Sequence, residues 1–185
     1  MTGVGDTAAE VKARLRTEAM RRRREAARTV AGSAAAIAAR AAELPAGPVV
    51  SGYLPIRDEI DPRPLMEALA PRARIALPKV RADRMWFLVM GAGDSLERGG
   101  FGLTEPSGGE EVVPDVLLVP LLAFTRAGGR LGYGKGHYDR YLAAHPGRRT
   151  VGIAFAAQEM PELPLEAHDA RLDAILTERE FIRIA

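Results

Sequence analysis

The sequence predicts an α/β fold: a single-domain three-layer sandwich in which helices cover both faces of a mostly parallel central sheet. Three observations point to it. Short β-prone runs alternate with helix-like segments along the chain. The run from Val112 to Phe124 is apolar almost without alternation, the pattern of a strand buried on both faces of a parallel sheet. A length of 185 residues, 47% of them hydrophobic, suits one substantial core.

Residues 1–9 are expected to be a disordered tail and residues 10–185 the domain. From Glu10 to Glu43 the chain is rich in Ala, Arg and Glu, with Gly32 its one glycine. This predicts one long helix, or two broken at Gly32 and Ser33. Pro45, Gly47 and Pro48 end it. Val49, Val50 and Tyr53 read as a strand stopped by Pro55, and Asp61 with Pro62 as a helix start leading into Leu65 to Leu69. Ile75 to Leu77 and Met85 to Met90 read as the next strands, with Trp86 and Phe87 facing the core. Gly91 to Gly109, dense in glycine and holding Pro106, predicts a long surface loop without regular structure. After the apolar run comes a glycine-rich turn, then a helix from about His137 to Ala144. Thr150 to Phe155 reads as a further buried strand and Ala174 to Thr177 as a short terminal one.

Composition excludes several classes. The 26 Lys and Arg nearly match the 24 Asp and Glu, leaving a net charge of +2 and little long-range attraction to nucleic acid or membrane. The absence of cysteine removes disulfides, thiolate nucleophiles and Cys-based metal sites, and suits a reducing, cytoplasmic setting. His137, His145 and His168 lack metal-ligand spacing. The Arg21 to Arg24 run precedes Ala-rich sequence, but Glu25, Arg28 and Arg40 interrupt it, so it reads as a solvated helix face rather than a targeting signal. No segment reaches the roughly 18 apolar residues of a membrane span. The expected partners are small molecules, with no nucleic acid and no membrane, and the chain is expected to be a monomer.

The segment Gly128-Gly129-Arg130-Leu131-Gly132-Tyr133-Gly134-Lys135-Gly136-His137-Tyr138-Asp139 carries the most chemical information. Between a buried strand and a helix, its N–H groups and the positive end of the helix dipole converge on one place, which suits phosphate. Glycines 132, 134 and 136 allow close approach and positive φ, Lys135 adds a mobile charge and Arg130 a fork of donors. A flexible turn without a ligand is the competing reading; the order strand, basic loop, helix favours phosphate. The segment is not a standard P-loop, since Gly136 stands where Ser or Thr would hold magnesium. Nor is it a dinucleotide fingerprint, since His137 replaces the third glycine. A magnesium ligand must come from elsewhere, and Asp139 is the nearest carboxylate. Lys12 and Arg16, spaced i, i+4, share a helix face.

This loop resembles the signature of the 5-formyltetrahydrofolate cyclo-ligases. Lys12-Ala-Arg-Leu-Arg16, Tyr53-Leu54-Pro55 with Asp58-Glu59-Ile60, Phe101 to Pro106, Val119-Pro120 with Ala123-Phe124, Gln158, and Leu163-Pro164 with His168-Asp169 recur in that family in this order. The resemblance runs from about Lys12 to Thr177. It implies a CoA-transferase-like sandwich and an ATP- and magnesium-dependent conversion of 5-formyltetrahydrofolate to 5,10-methenyltetrahydrofolate. By the same resemblance ATP contacts fall on Lys12, Ala13, Arg14, Leu15 and Arg16, and on Arg130, Leu131, Gly132, Tyr133, Gly134, Lys135, Gly136, His137 and Tyr138. Magnesium falls on Asp139 and Asp169. Folate falls on Leu54, Glu59 and Phe101, with Tyr133 to His137 where formyl group and γ-phosphate meet; Lys135, Arg130 and Tyr133 are the catalytic candidates. One departure stands out, His137 in place of a more usual tyrosine; Phe101 falls where an aromatic ring, often tryptophan, stacks on the folate. Rival readings are a non-catalytic folate or nucleotide binder of the same fold, an RNA-associated protein using the arginine-rich helix, and a sugar-phosphate or CoA-transferring enzyme.

Overall fold

The computed structural model describes residues 7–91, 93–102, 104–166 and 169–184, apart from the side chains of Ala8, Ala9 and Phe101. Helix α1 (Ala8–Thr29) begins earlier than the expected tail allows, because Thr7 and Glu10 form a capping box. Residues 7–9 therefore belong to the helical layer. The expected break falls at Gly32, which takes φ = 71° ahead of α2 (Ser33–Ala38). Pro62 leads into α3 (Arg63–Leu69), and α4 spans His137–Ala144 as its sequence suggested.

Twelve strands occur among the described residues: β1 (Val49–Ser51), β2 (Arg74–Arg81), β3 (Arg84–Val89), β4 (Leu96–Arg98), β5 (Thr104–Pro106), β6 (Glu110–Val112), β7 (Val116–Pro120), β8 (Ala123–Phe124), β9 (Arg130–Leu131), β10 (Arg149–Ile153), β11 (Ala174–Leu176) and β12 (Phe181–Arg183). Eight form the main sheet in the order β12-β11-β10-β7-β1-β2-β3-β6. Its centre, from β11 to β2, is parallel; at the edges β12 pairs antiparallel with β11, β3 with β2 and β6 with β3.

The sheet is covered on both faces. On one, Ala26 of α1, Ile37 of α2 and Leu65 of α3 pack with Val50, Leu118 and Val151. On the other, Tyr141 of α4 packs with Phe87, Leu117 and Val119. Successive residues of β7 thus enter opposite cores, which is why its sequence lacks polar alternation. Leu118 is 0% exposed, so Leu118→Ala is expected to destabilise the domain by about 2–5 kcal/mol, measured by denaturant unfolding.

Three expectations need correction. The run Val112 to Phe124 is not one strand: Pro114 separates β6 from β7, and the chain leaves the sheet after Pro120 to pair β8 with β9. Trp86 is only partly buried, under the Arg84 guanidinium, while its neighbour Phe87 is in the core. The segment 91–109 is not irregular throughout, because β4 and β5 form a hairpin. Glu105 fixes it: the carboxylate is buried, accepts from the Val80 amide at 3.2 Å and pairs with Arg81. A Cβ on Gly99 would come within 2.2 Å of the Glu105 carboxyl carbon, so this glycine makes room for a buried acid.

Candidate active site

A cavity of about 710 Å³ opens beyond the carboxyl ends of β1, β2 and β7, where α/β sheets usually receive ligands. Tyr53 and Leu54 follow β1, Pro78 and Val80 come from the end of β2, and Val119 and Pro120 from the end of β7. The glycine loop, Arg130 to Asp139, forms another wall. Lys12 and Arg16 of α1, with Glu166 and Asp169 from the segment before β11, complete one end.

At that end charges are tightly paired. Lys12 Nζ lies 2.9 Å from Glu166 and 3.0 Å from Asp169. Burial pulls the Lys12 pKa down, but these hydrogen bonds and the two negative charges outweigh it and hold it above the usual lysine range. Arg130 sits 2.5 Å from Asp139 and also donates to the Ala170 carbonyl, while the Ala170 amide donates to Asp139 at 3.1 Å. This lattice brings Asp139 beside the residue that follows Asp169. Arg130 lines the cavity, and two of its five guanidinium donors are engaged by Asp139 and the Ala170 carbonyl.

The loop itself is shaped as its glycines suggest, with one refinement. Gly134 and Gly136 take φ = 87° and 64°, whereas Gly132 needs no such conformation and its added Cβ would meet nothing within 4 Å. Arg16 Nε donates to the Gly132 carbonyl at 3.1 Å, fastening α1 to the loop. Lys135 is exposed on the cavity wall, and His137 Nε2 lies 3.1 Å from the Ala82 carbonyl at the β2–β3 turn. Gly136 precedes α4, directing that helix's N-terminus at the loop.

At the other end Leu54 and Glu59 reach the cavity. The Glu59 side chain is only 5% exposed. Burial raises its pKa, opposed by the Ile56 amide at 3.0 Å, by Arg23, by the Tyr133 hydroxyl and by Arg57. Burial likewise raises Tyr133 and Tyr138 above the usual phenol range.

The structure gathers Lys12, Arg16, Leu54, Glu59, the loop 130–139 and Asp169 around one cavity. It does not bring Ala13, Arg14 or Leu15 there. Ala13 and Arg14 are exposed, and Leu15 packs beside Leu122 and Leu131. The Phe101 side chain and His168 lie outside the described residues.

Sequence reasoning missed Arg57, Glu166 and above all Arg23. Arg57 is held at φ = 52°, with its guanidinium 5.8 Å from the Tyr133 ring centre. Arg23, read as part of a solvated run, is 2% exposed. The signal was there: Lys12, Arg16, Ala19, Arg23 and Ala26 recur at i, i+4, i+7, i+11 and i+14, the inward stripe of one helix.

Comparisons with known proteins bear on this arrangement. The model of the 5-formyltetrahydrofolate cyclo-ligase family matches residues 8–178. A 5-formyltetrahydrofolate cyclo-ligase of Mycolicibacterium smegmatis is 33% identical over 190 residues, covering 92% of this chain and 95% of that protein. The Escherichia coli K12 protein of the same description is 34% identical over 139 residues, 69% of this chain and 76% of that one. The NMR structure of Aquifex aeolicus 5,10-methenyltetrahydrofolate synthetase superposes with a TM-score of 0.77 at 31% identity, covering 94% of this chain and 93% of that one.

Proposed function

The chain belongs to the 5-formyltetrahydrofolate cyclo-ligase family, and on that premise we propose that it converts 5-formyltetrahydrofolate and ATP to 5,10-methenyltetrahydrofolate, ADP and phosphate. The observation that carries the reading is the single cavity joining a basic glycine loop to a buried carboxylate: one end suits phosphates, the other the N–H groups of a pterin.

An N-formyl oxygen is a poor leaving group. Transfer of the γ-phosphoryl group to it breaks the terminal anhydride bond of ATP and gives an activated iminium phosphate. N10 then attacks the formyl carbon and gives up its proton to solvent, the five-membered ring closes, and the C–O bond breaks so that the formyl oxygen departs with the phosphate. Such chemistry asks the protein for position and charge rather than a covalent nucleophile. Lys12, Arg16 and Lys135 supply positive charge, the loop amides and the α4 N-terminus face the phosphates, and Leu54 with Glu59 orients the pterin.

The donor set also fits magnesium. Asp139 and Asp169 both line the cavity and offer hard oxygen ligands, Asp139 beside the residue that follows Asp169, which suits a cation that keeps several waters and bridges to phosphates. When bound, the ion neutralises charge on the transferring phosphoryl group. Among the described residues no cluster of three His, Asp or Glu makes a dedicated cage. Cytoplasmic location and a monomeric state belong to the same proposal, and no described helix is long and apolar enough to cross a membrane.

The direct test is to mix the protein with 5-formyltetrahydrofolate and Mg-ATP and follow the near-ultraviolet absorbance of the methenyl product. Absence of product while both ligands bind would refute the activity. Glu59→Gln removes the anionic acceptor with little change in volume. It is expected to raise the folate KM about 10²-fold, equivalent to roughly 2.7 kcal/mol, with the ATP KM little changed, as read from initial rates.

A further inference from the structure

We infer that Arg23 is a positioning residue for the folate end of the site, holding Glu59 as an anion and aiming the Tyr133 hydroxyl. This rests on the proposed reading of Glu59 as the pterin acceptor. Arg23 does not line the cavity; it stands behind it, on the inward stripe of α1, with its side chain 2% exposed. Its Nη2 donates to the Tyr133 hydroxyl at 2.6 Å, and its Nη1 lies 3.5 Å from Glu59 Oε1. The guanidinium carbon is 5.5 Å from the Tyr133 ring centre. One cation thus touches two cavity-lining side chains from different segments, the loop after β1 and the glycine loop.

The burial of the pair makes this function necessary. Glu59 is almost as enclosed as Arg23, and a carboxylate in such a place tends to take up a proton and stop accepting from a ligand's N–H groups. Other groups acting on Glu59 are Arg57 on its own loop, Tyr133 from the glycine loop, Tyr53 after β1 and Tyr138 of α4. The tyrosines are neutral near pH 7 and Arg57 is largely exposed. Arg23 is therefore the buried charge that balances Glu59. The Arg23 guanidinium thus has its hydrogen bond on Tyr133 and its ion pair with Glu59, both of them cavity-lining residues.

The test combines Arg23→Gln, Arg23→Lys, Glu59→Gln and the double variant Arg23→Gln/Glu59→Gln, with the folate KM measured from pH 5.5 to 9. In Arg23→Gln the folate KM is expected to rise about tenfold at pH 7.5 and further as pH falls, because Glu59 protonates at higher pH once its counter-charge is gone; the pH midpoint moves up by about one unit or more. Arg23→Lys is expected to restore a midpoint near that of the parent protein. In the Glu59→Gln background Arg23→Gln should add less than about threefold, since residues acting through one another are not additive.

If Arg23→Gln loses affinity equally at all pH values, or if its effect multiplies with that of Glu59→Gln, Arg23 is a packing residue and the inference falls. If Glu59→Gln itself leaves the folate KM unchanged, the pterin assignment fails and the inference with it. A parent-like KM at every pH in Arg23→Gln, with Glu59→Gln impaired, overturns the role of Arg23 alone. Should Arg23→Gln not fold, Arg23→Lys decides: a parent-like midpoint supports the role of charge, and a shifted one overturns it.

Discussion

Lys135→Ala is expected to lower turnover about 10²–10³-fold, the loss usual when one charge-stabilising donor is taken from a developing anion. The loss should fall on kcat and leave the fold untouched. Lys135 is exposed on the cavity wall between Gly134 and Gly136, two residues in the left-handed region. The backbone, not the lysine side chain, therefore sets the loop's shape. On the proposed mechanism alanine removes a positive charge beside the transferring phosphoryl group, and Lys135→Arg should recover part of the rate. Single-turnover kinetics beside a thermal melt would check this; near-normal turnover would sink the assignment of the loop to phosphate.

Asp139→Asn should be nearly as costly, by two separable routes. Asp139 carries the 2.5 Å ion pair with Arg130 and accepts the Ala170 amide, so loss of its charge leaves a guanidinium that is 7% exposed without its counterion. A stability loss of about 1–3 kcal/mol follows from that alone. The second effect is on the magnesium proposed to bind there. The magnesium concentration giving half-maximal rate should rise by at least the roughly 10–100-fold that loss of a supporting partner costs a metal site. An Asn variant that is less stable but shows the parent magnesium dependence would make Asp139 a structural partner of Arg130 only.

Local features were legible in the sequence where local chemistry decides them. Gly32 breaks the first helix, Pro62 starts the third, and α4 has the bounds its residues suggested, because caps and turns are decided within a few positions. The glycine loop was readable for the same reason. What escaped notice depends on partners far along the chain. Lys12 meets Asp169 across 157 positions and Arg23 meets Tyr133 across 110, and no local pattern encodes either pairing. The β4–β5 hairpin was hidden because its glycines resemble loop residues, while the buried Glu105 that demands Gly99 is recognisable only once β2 lies beside it. The strand β12 was missed because three residues at a sheet edge carry little periodicity. Of the contiguous run 12–16 that the resemblance implies, Lys12 and Arg16 line the cavity, as the spacing of a helix face dictates.

Helix α1 is a ruler with a phase. Lys12 and Arg16 reach one end of the cavity and Arg23 stands behind the other, all on one stripe, so spacing along this rod is coupled to rotation about it. From Lys12 to Arg23 the rod measures about 16 Å, and adding one residue between Arg16 and Arg23 would lengthen it by only about 1.5 Å. The same insertion would turn one end by about 100° relative to the other. Either the basic pair or Arg23 would then leave its partners, although composition, charge and helix propensity were unchanged. A single residue added within the first helix, between Arg16 and Arg23, would therefore separate two groups that surround one cavity.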